Sequence, residues 1–147
     1  MTVQVPVVPR PLRVGLVGAI AVVLLIASVV PVEETGVPAE SPVGPISLFA
    51  LLHVLGYGAL AGALSYATVE TARTNWLVLP VVFLVAVTYG AGIEVIQGLL
   101  PYRLFSYTDI ALNAVGAGVA VLCWALLIRI SDLYSVSALS EVRSLRG

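Results

Sequence analysis

The chain has 147 residues, of which 60% are hydrophobic and 10% charged, and its mean hydropathy is +1.08. Soluble domains carry about 25% charged residues, so this composition excludes a soluble globular fold. The formal net charge of −1 excludes a nucleic-acid-binding function, because such binding requires a clustered basic surface.

Four apolar stretches are each long enough to cross a hydrocarbon core of ~30 Å as a helix of about 20 residues. The remaining segments are too short to bury a core of their own. We therefore predict an all-α fold, an integral membrane four-helix bundle that forms one domain over residues 14–130. Residues 1–13 precede the bundle and residues 131–147 follow it as a tail. The predicted spans are residues 14–30, 46–69, 76–100 and 107–130.

The distribution of arginine predicts the orientation of the bundle, because arginine-rich loops remain cytoplasmic. Six arginines fall on one side of the membrane: Arg10, Arg13, Arg73, Arg129, Arg143 and Arg146. The other side has Arg103 and the acidic loop 31–45, which contains Glu33, Glu34 and Glu40. We therefore predict a multi-pass protein of the cell membrane with both termini in the cytoplasm.

Seven polar residues stand out within or directly beside the predicted spans, where ionisable groups cost about 2.5 to 3.5 kcal/mol each. They are His53, Tyr57, Glu94, Gln97, Arg103, Asp109 and Asn113. Spacings of three and four residues place the polar residues of each span on one face of its helix. At ~1.5 Å per residue, they lie within roughly 10 Å of the extracytoplasmic end of the bundle. The pattern therefore predicts a common polar pocket near the outer surface.

Several of these residues also have a structural interpretation. Ser106 and Asp109 match the S-x-x-D pattern of a capping box at a helix start. Arg103 can snorkel to the surface or pair with Asp109, and His53 can be a hydrogen-bonded core histidine. Glu94 has no cation on its own helix and therefore needs a partner from elsewhere or a proton. Glu94 is accordingly the strongest candidate for a functional side chain.

The sequence shows no recognised metal-binding motif. One histidine and two carboxylates are few, and they are too widely spaced to match a zinc pattern. The single cysteine, Cys123, lies inside the fourth span and can form no disulfide within one chain. We expect neither a metal nor another cofactor from the sequence.

The polar residues lie in motifs that resemble the VanZ-like family, which is named for a teicoplanin-resistance protein. These motifs are E-x-x-Q at 94–97, R-x-x-S-x-x-D at 103–109, N-x-x-G at 113–116 and H-x-x-x-Y at 53–57. The resemblance covers residues 46–125. It implies a polytopic protein of the cell envelope associated with glycopeptide resistance. The family often has an Asp-Lys pair just before the histidine, whereas this chain has Phe49 and Ala50.

The leading hypothesis is that the outer pocket binds the polar head of an envelope lipid, a glycolipid or a lipid-linked precursor. Arg103 would contact an anionic group, and Tyr57 belongs to the same ligand-binding set. Hydrogen bonds would come from His53, Glu94, Gln97, Asp109 and Asn113. The alternative is an intramembrane hydrolase or transferase with Glu94 or His53 as general base. A proton-coupled transporter subunit is a third interpretation, which would require an oligomer because the polar groups occupy one end of the bundle.

Overall fold

The computed structural model describes residues 3–31 and 48–135. Four of its helices are long and apolar enough to cross a membrane, which confirms the predicted all-α bundle. The helices are α1 (Arg10–Val29), α2 (Leu48–Ala67), the short α3 (Val69–Thr74), α4 (Val78–Gly98) and α5 (Tyr107–Ile130). The predicted spans agree with these bounds to within a few residues at most. The acidic loop from residue 32 onward lies outside the described residues, as do Arg143 and Arg146.

Two short strands flank the helices, a feature that the hydropathy pattern did not predict. Strand β1 (Val3–Val7) pairs in parallel with β2 (Ser131–Ser135), in a register that sets Val3 opposite Ser131. Because β1 precedes α1 and β2 follows α5, the start of α1 and the end of α5 lie together. We call this end of the bundle the tail end. The opposite end, where α4 ends and α5 begins, is called the site end.

The bundle is held together by close contact between α2 and α5 at Gly116. A Cβ atom added to Gly116 would lie 2.1 Å from the carbonyl oxygen of Val54, so only glycine fits there. Gly58 lies against the backbone of the same residue, with its added Cβ at 3.3 Å from the Gly116 carbonyl oxygen. Small residues allow this approach between membrane helices. The contact fixes which faces of α2 and α5 turn toward the interior.

Arg13 attaches α1 to the C-terminus of α2 at the tail end. Its side chain is buried, with Nε donating to the Val8 carbonyl at 2.8 Å. Nη1 donates to the carbonyls of Tyr66 (3.1 Å) and Ala67 (3.3 Å), and Nη2 pairs with Glu70 Oε1 at 2.7 Å. Carbonyls at a helix C-terminus have no partner within the helix. The guanidinium therefore satisfies the end of α2 and complements its dipole.

Candidate functional site

Three helices bring His53, Glu94 and Asp109 together at the site end. His53 lies in the second turn of α2, Glu94 in the last turns of α4 and Asp109 in the first turn of α5. One ligand atom from each side chain lies within 4.8 Å of the other two. The structure thus unites three residues that are separated along the chain and belong to three different helices.

Glu94 is buried, with a relative exposure of 1%, and it contacts the start of α5. Its Oε2 accepts a hydrogen bond from the backbone N–H of Ser106 at 3.1 Å. Ser106 is the N-cap residue of α5, and its Oγ accepts from the backbone N–H of Asp109 at 3.1 Å. In a usual capping box the third helical residue would supply the acceptor for the N-cap N–H. Here Glu94 supplies it from another helix, so the Asp109 carboxylate does not fill that role.

The imidazole of His53 is oriented by the backbone of its own helix. Its Nδ1 lies 2.7 Å from the carbonyl oxygen of Phe49. A carbonyl oxygen can only accept, so Nδ1 carries the proton in this contact. Nε2 lies 3.9 Å from Glu94 Oε1. In the neutral ring, Nε2 therefore presents its lone pair on the side of the two carboxylates.

Tyr57 and Asn113 lie one helical turn deeper than this cluster, on the same helices as His53 and Asp109. A Cβ atom added to Gly90 would lie 2.8 Å from both Asn113 Nδ2 and Tyr57 Cε1, so both side chains lie against Gly90. Asn113 is 1% exposed, and neither polar atom of its amide has a hydrogen-bond partner within the described residues. Buried amides are nearly always satisfied, so Asn113 indicates a site for a water or a ligand group.

Gln97 and Arg103 lie beside the cluster and bind the C-terminus of α1. Together with Tyr102 they satisfy three consecutive carbonyls there. Gln97 Nε2 donates to Ser28 (3.0 Å), Tyr102 OH to Val29 (2.8 Å) and Arg103 Nη2 to Val30 (2.9 Å). Arg103 and Asp109, both within the described residues, form no ion pair. The role of Tyr102 was not predicted from the sequence, because no sequence pattern indicates which side chain donates to the free carbonyls at the end of another helix.

An apolar groove of about 650 Å³ runs along one side of α4. It is lined along α4 from Val81 to Ile96, with Gly92 and Ile93 in its wall, and Leu25 of α1 closes one side. Fifteen residues of helix correspond to roughly 22 Å. Ile93 lines the groove and directly precedes Glu94, so the groove and the polar cluster occupy neighbouring faces of one helix.

A family model of the description VanZ/LLP1 matches residues 23–129 of the chain. The chain belongs to the VanZ/LLP1 family. No curated protein and no solved structure matches it. The family match confirms the resemblance seen in the sequence motifs and extends it from the middle of α1 to the end of α5. All seven polar residues singled out above fall within it.

In this VanZ/LLP1 protein the site combines two carboxylates, one imidazole nitrogen with a lone pair and one unpartnered amide. Such a set can accept hydrogen bonds from hydroxyl groups or hold a cation. The Nε atom of Arg103 is also buried without a hydrogen-bond partner in the described residues. Arg103 therefore retains a donor besides the one that it uses on α1.

Proposed function

We propose that this VanZ/LLP1 protein binds the polar head of an envelope lipid or lipid-linked glycan precursor at the site end. The proposal rests on one observation above all, the polar cluster of His53, Glu94 and Asp109 beside an apolar groove. An amphipathic lipid needs both features, a polar pocket for its head and an apolar groove for its chain.

The individual side chains divide between holding the site and contacting the head group. Asp109 and Asn113 accept or donate hydrogen bonds to hydroxyl groups of the head, and the Nε atom of Arg103 donates to an anionic group. His53 and Glu94 line the same pocket. Tyr57 and Gln97 support the walls, since Tyr57 packs against Gly90 and Gln97 holds α1 in place.

The orientation that we propose places the site end outside and both termini in the cytoplasm. It is supported by the excess of arginine at the tail end and on the segments beyond it. The head group is then an extracytoplasmic one. Because the family takes its name from a teicoplanin-resistance protein, we further propose a role in glycopeptide resistance.

Lipid retention by purified protein tests the binding proposal, with two matched glycine variants. A Cβ atom added to Gly92 or to Gly18 meets nothing within 4 Å, and both residues are exposed, but only Gly92 lines the groove. Gly92→Leu should fill the groove and reduce the lipid found by mass spectrometry. Gly18→Leu should retain it. Equal retention by both variants would contradict binding in this groove.

A second function, an intramembrane hydrolase or transferase, is supported by the orientation of His53. Its Nδ1 is occupied by the Phe49 carbonyl, which leaves Nε2 to take a proton as a general base beside Glu94. Incubation with extracted envelope lipids distinguishes the two functions. An unaltered bound lipid supports the binding function, whereas a product that depends on His53 supports the enzyme.

A further inference from the structure

We propose that His53, Glu94 and Asp109 form a binding site for a divalent transition-metal ion of the zinc class. Imidazole nitrogen and carboxylate oxygen are both ligands of such ions. One ligand atom of each side chain lies within 4.8 Å of the other two. His53 Nε2 and Glu94 Oε1 are 3.9 Å apart. Three protein ligands leave a further position open for water or a ligand oxygen.

Two of the proposed ligands have the hydrogen bonds that metal ligands usually have. A metal-binding histidine usually donates its other ring N–H to a carbonyl or carboxylate, as His53 Nδ1 does to Phe49. A ligating carboxylate is usually held by a further donor, as Glu94 Oε2 is by the Ser106 N–H. Both contacts leave the atom that faces the cluster available to an ion.

Asn113 provides a second, independent indication of a bound group. Its amide is buried one turn below the cluster, and both polar atoms lack a hydrogen-bond partner in the described part of the chain. A water on the open position of the ion would supply a partner for this amide. Gly90 allows the amide to lie directly against the backbone of α4, because an added Cβ atom would lie 2.8 Å from Asn113 Nδ2.

The three ligand atoms must move slightly closer together when the ion binds. Ligand atoms around a tetrahedral zinc ion with bonds of about 2.1 Å lie roughly 3.4 Å apart. His53 Nε2 and Glu94 Oε1 are at 3.9 Å, and the carboxylate of Asp109 is half-buried at the first turn of α5. Binding therefore requires the separation of His53 Nε2 and Glu94 Oε1 to shorten by about 0.5 Å and the Asp109 carboxylate to approach both.

A divalent cation would also remove an electrostatic repulsion at the site. Two carboxylates near an anionic head group would repel it, whereas a metal ion balances their charge and offers the head-group oxygen a ligand position. This bridging role rests on the proposed lipid-binding function. The metal site itself rests only on the side-chain geometry, and it is tested without lipid.

The test measures Zn²⁺ and Co²⁺ binding to detergent-purified protein that carries no polyhistidine tag. Wild-type protein should hold one equivalent of Zn²⁺ after dialysis, and Co²⁺ should give the d–d absorption bands of a low-coordinate site. His53→Gln and Asp109→Asn should weaken the affinity at least tenfold, since changes in the outer shell alone cost 10- to 100-fold. Glu70→Gln, which alters an exposed carboxylate at the tail end, should bind like wild type.

The controls separate failure of the metal site from failure of folding or of lipid binding. A melting temperature measured for each variant in the metal-free state shows whether it is folded, and added Zn²⁺ should raise it less in His53→Gln and Asp109→Asn than in wild type and Glu70→Gln. Wild-type protein that retains no Zn²⁺ and shows no Co²⁺ bands would overturn the site, as would unchanged binding in folded His53→Gln. Lipid retention with and without a chelator is a separate readout, so either proposal can fail alone.

Discussion

The carboxylate of Glu94 accepts a hydrogen bond from the backbone N–H of Ser106 at 3.1 Å, and this bond joins the end of α4 to the start of α5. Ser106 in turn caps α5 through its hydroxyl group. One buried side chain therefore completes a helix cap and lines the polar cluster. Substitutions at Glu94 should separate these two roles.

Glu94→Gln retains an oxygen that can accept from Ser106, whereas Glu94→Leu leaves the partly buried Ser106 N–H without this partner. An unsatisfied buried donor costs about 1 to 3 kcal/mol. We therefore expect Glu94→Leu to lower the melting temperature in detergent and Glu94→Gln to change it little. Val95→Leu, at an exposed neighbouring position, is the control. Equal stability of the Leu and Gln variants would show that the bond to Ser106 contributes nothing.

Arg103 and Asp109 should act independently, because Arg103 binds the Val30 carbonyl rather than the aspartate. Arg103→Gln removes a partner of α1 and should cost about 1 to 3 kcal/mol. In a double-mutant cycle with Asp109→Asn, measured by chemical unfolding, the coupling free energy should remain within about 0.5 kcal/mol. A coupling of more than about 1 kcal/mol would instead indicate an ion pair between them.

Gly116→Ala should destabilise the bundle strongly, because its Cβ atom would lie 2.1 Å from the Val54 carbonyl oxygen on α2. Overpacking of this kind typically costs about 1 to 3 kcal/mol, and a backbone atom cannot move aside as a side chain can. Gly118→Ala is the matched control, since its Cβ atom would meet only the Phe83 ring, at 3.6 Å. Thermal unfolding of both variants in one detergent measures the difference. Similar melting temperatures would contradict the close α2–α5 contact.

The two partners of the tail-end ion pair should contribute unequally to stability. Arg13 is 2% exposed and donates to three carbonyls besides Glu70, so Arg13→Leu should cost about 2 to 3 kcal/mol. The Glu70 side chain is 59% exposed, and Glu70→Gln should cost less than about 1 kcal/mol because water screens its charge. Chemical unfolding of both variants provides the comparison. A larger loss for the glutamate variant would contradict this assignment.

The proposed orientation predicts opposite labelling of the two ends of the bundle. In a Cys123→Ala background, Leu104→Cys in the α4–α5 loop should react with an impermeant thiol reagent on intact cells. Asn75→Cys at the tail end should react only after the cells are opened, since arginine-rich segments remain in the cytoplasm. Both native residues are exposed in the bundle. Labelling of Asn75→Cys from outside would reverse the orientation.

The sequence by itself determined the number of spans and their approximate ends. Apolar length is a local property, and the bilayer admits helices because their backbone hydrogen bonds are satisfied within the segment. The fourth span, predicted over residues 107–130, coincides with α5 (Tyr107–Ile130), whose start is also marked by the Ser106 cap. The spacing of the polar residues also gave their common level, because depth along a helix follows from residue number.

Only the tertiary structure decided which partner each polar residue has. The depth of a polar residue and the helical face that it occupies do not determine which helices are neighbours. The close contact at Gly116 makes α2 and α5 neighbours. The packing of α4 against α2 and α5 brings His53, Glu94 and Asp109 together, although the sequence offered no metal motif. The packing of α1 against the other helices places its terminal carbonyls within reach of Gln97 and Arg103. The physical reason is that helix-end carbonyls need donors, and the donor that satisfies them is the one that packing places within reach.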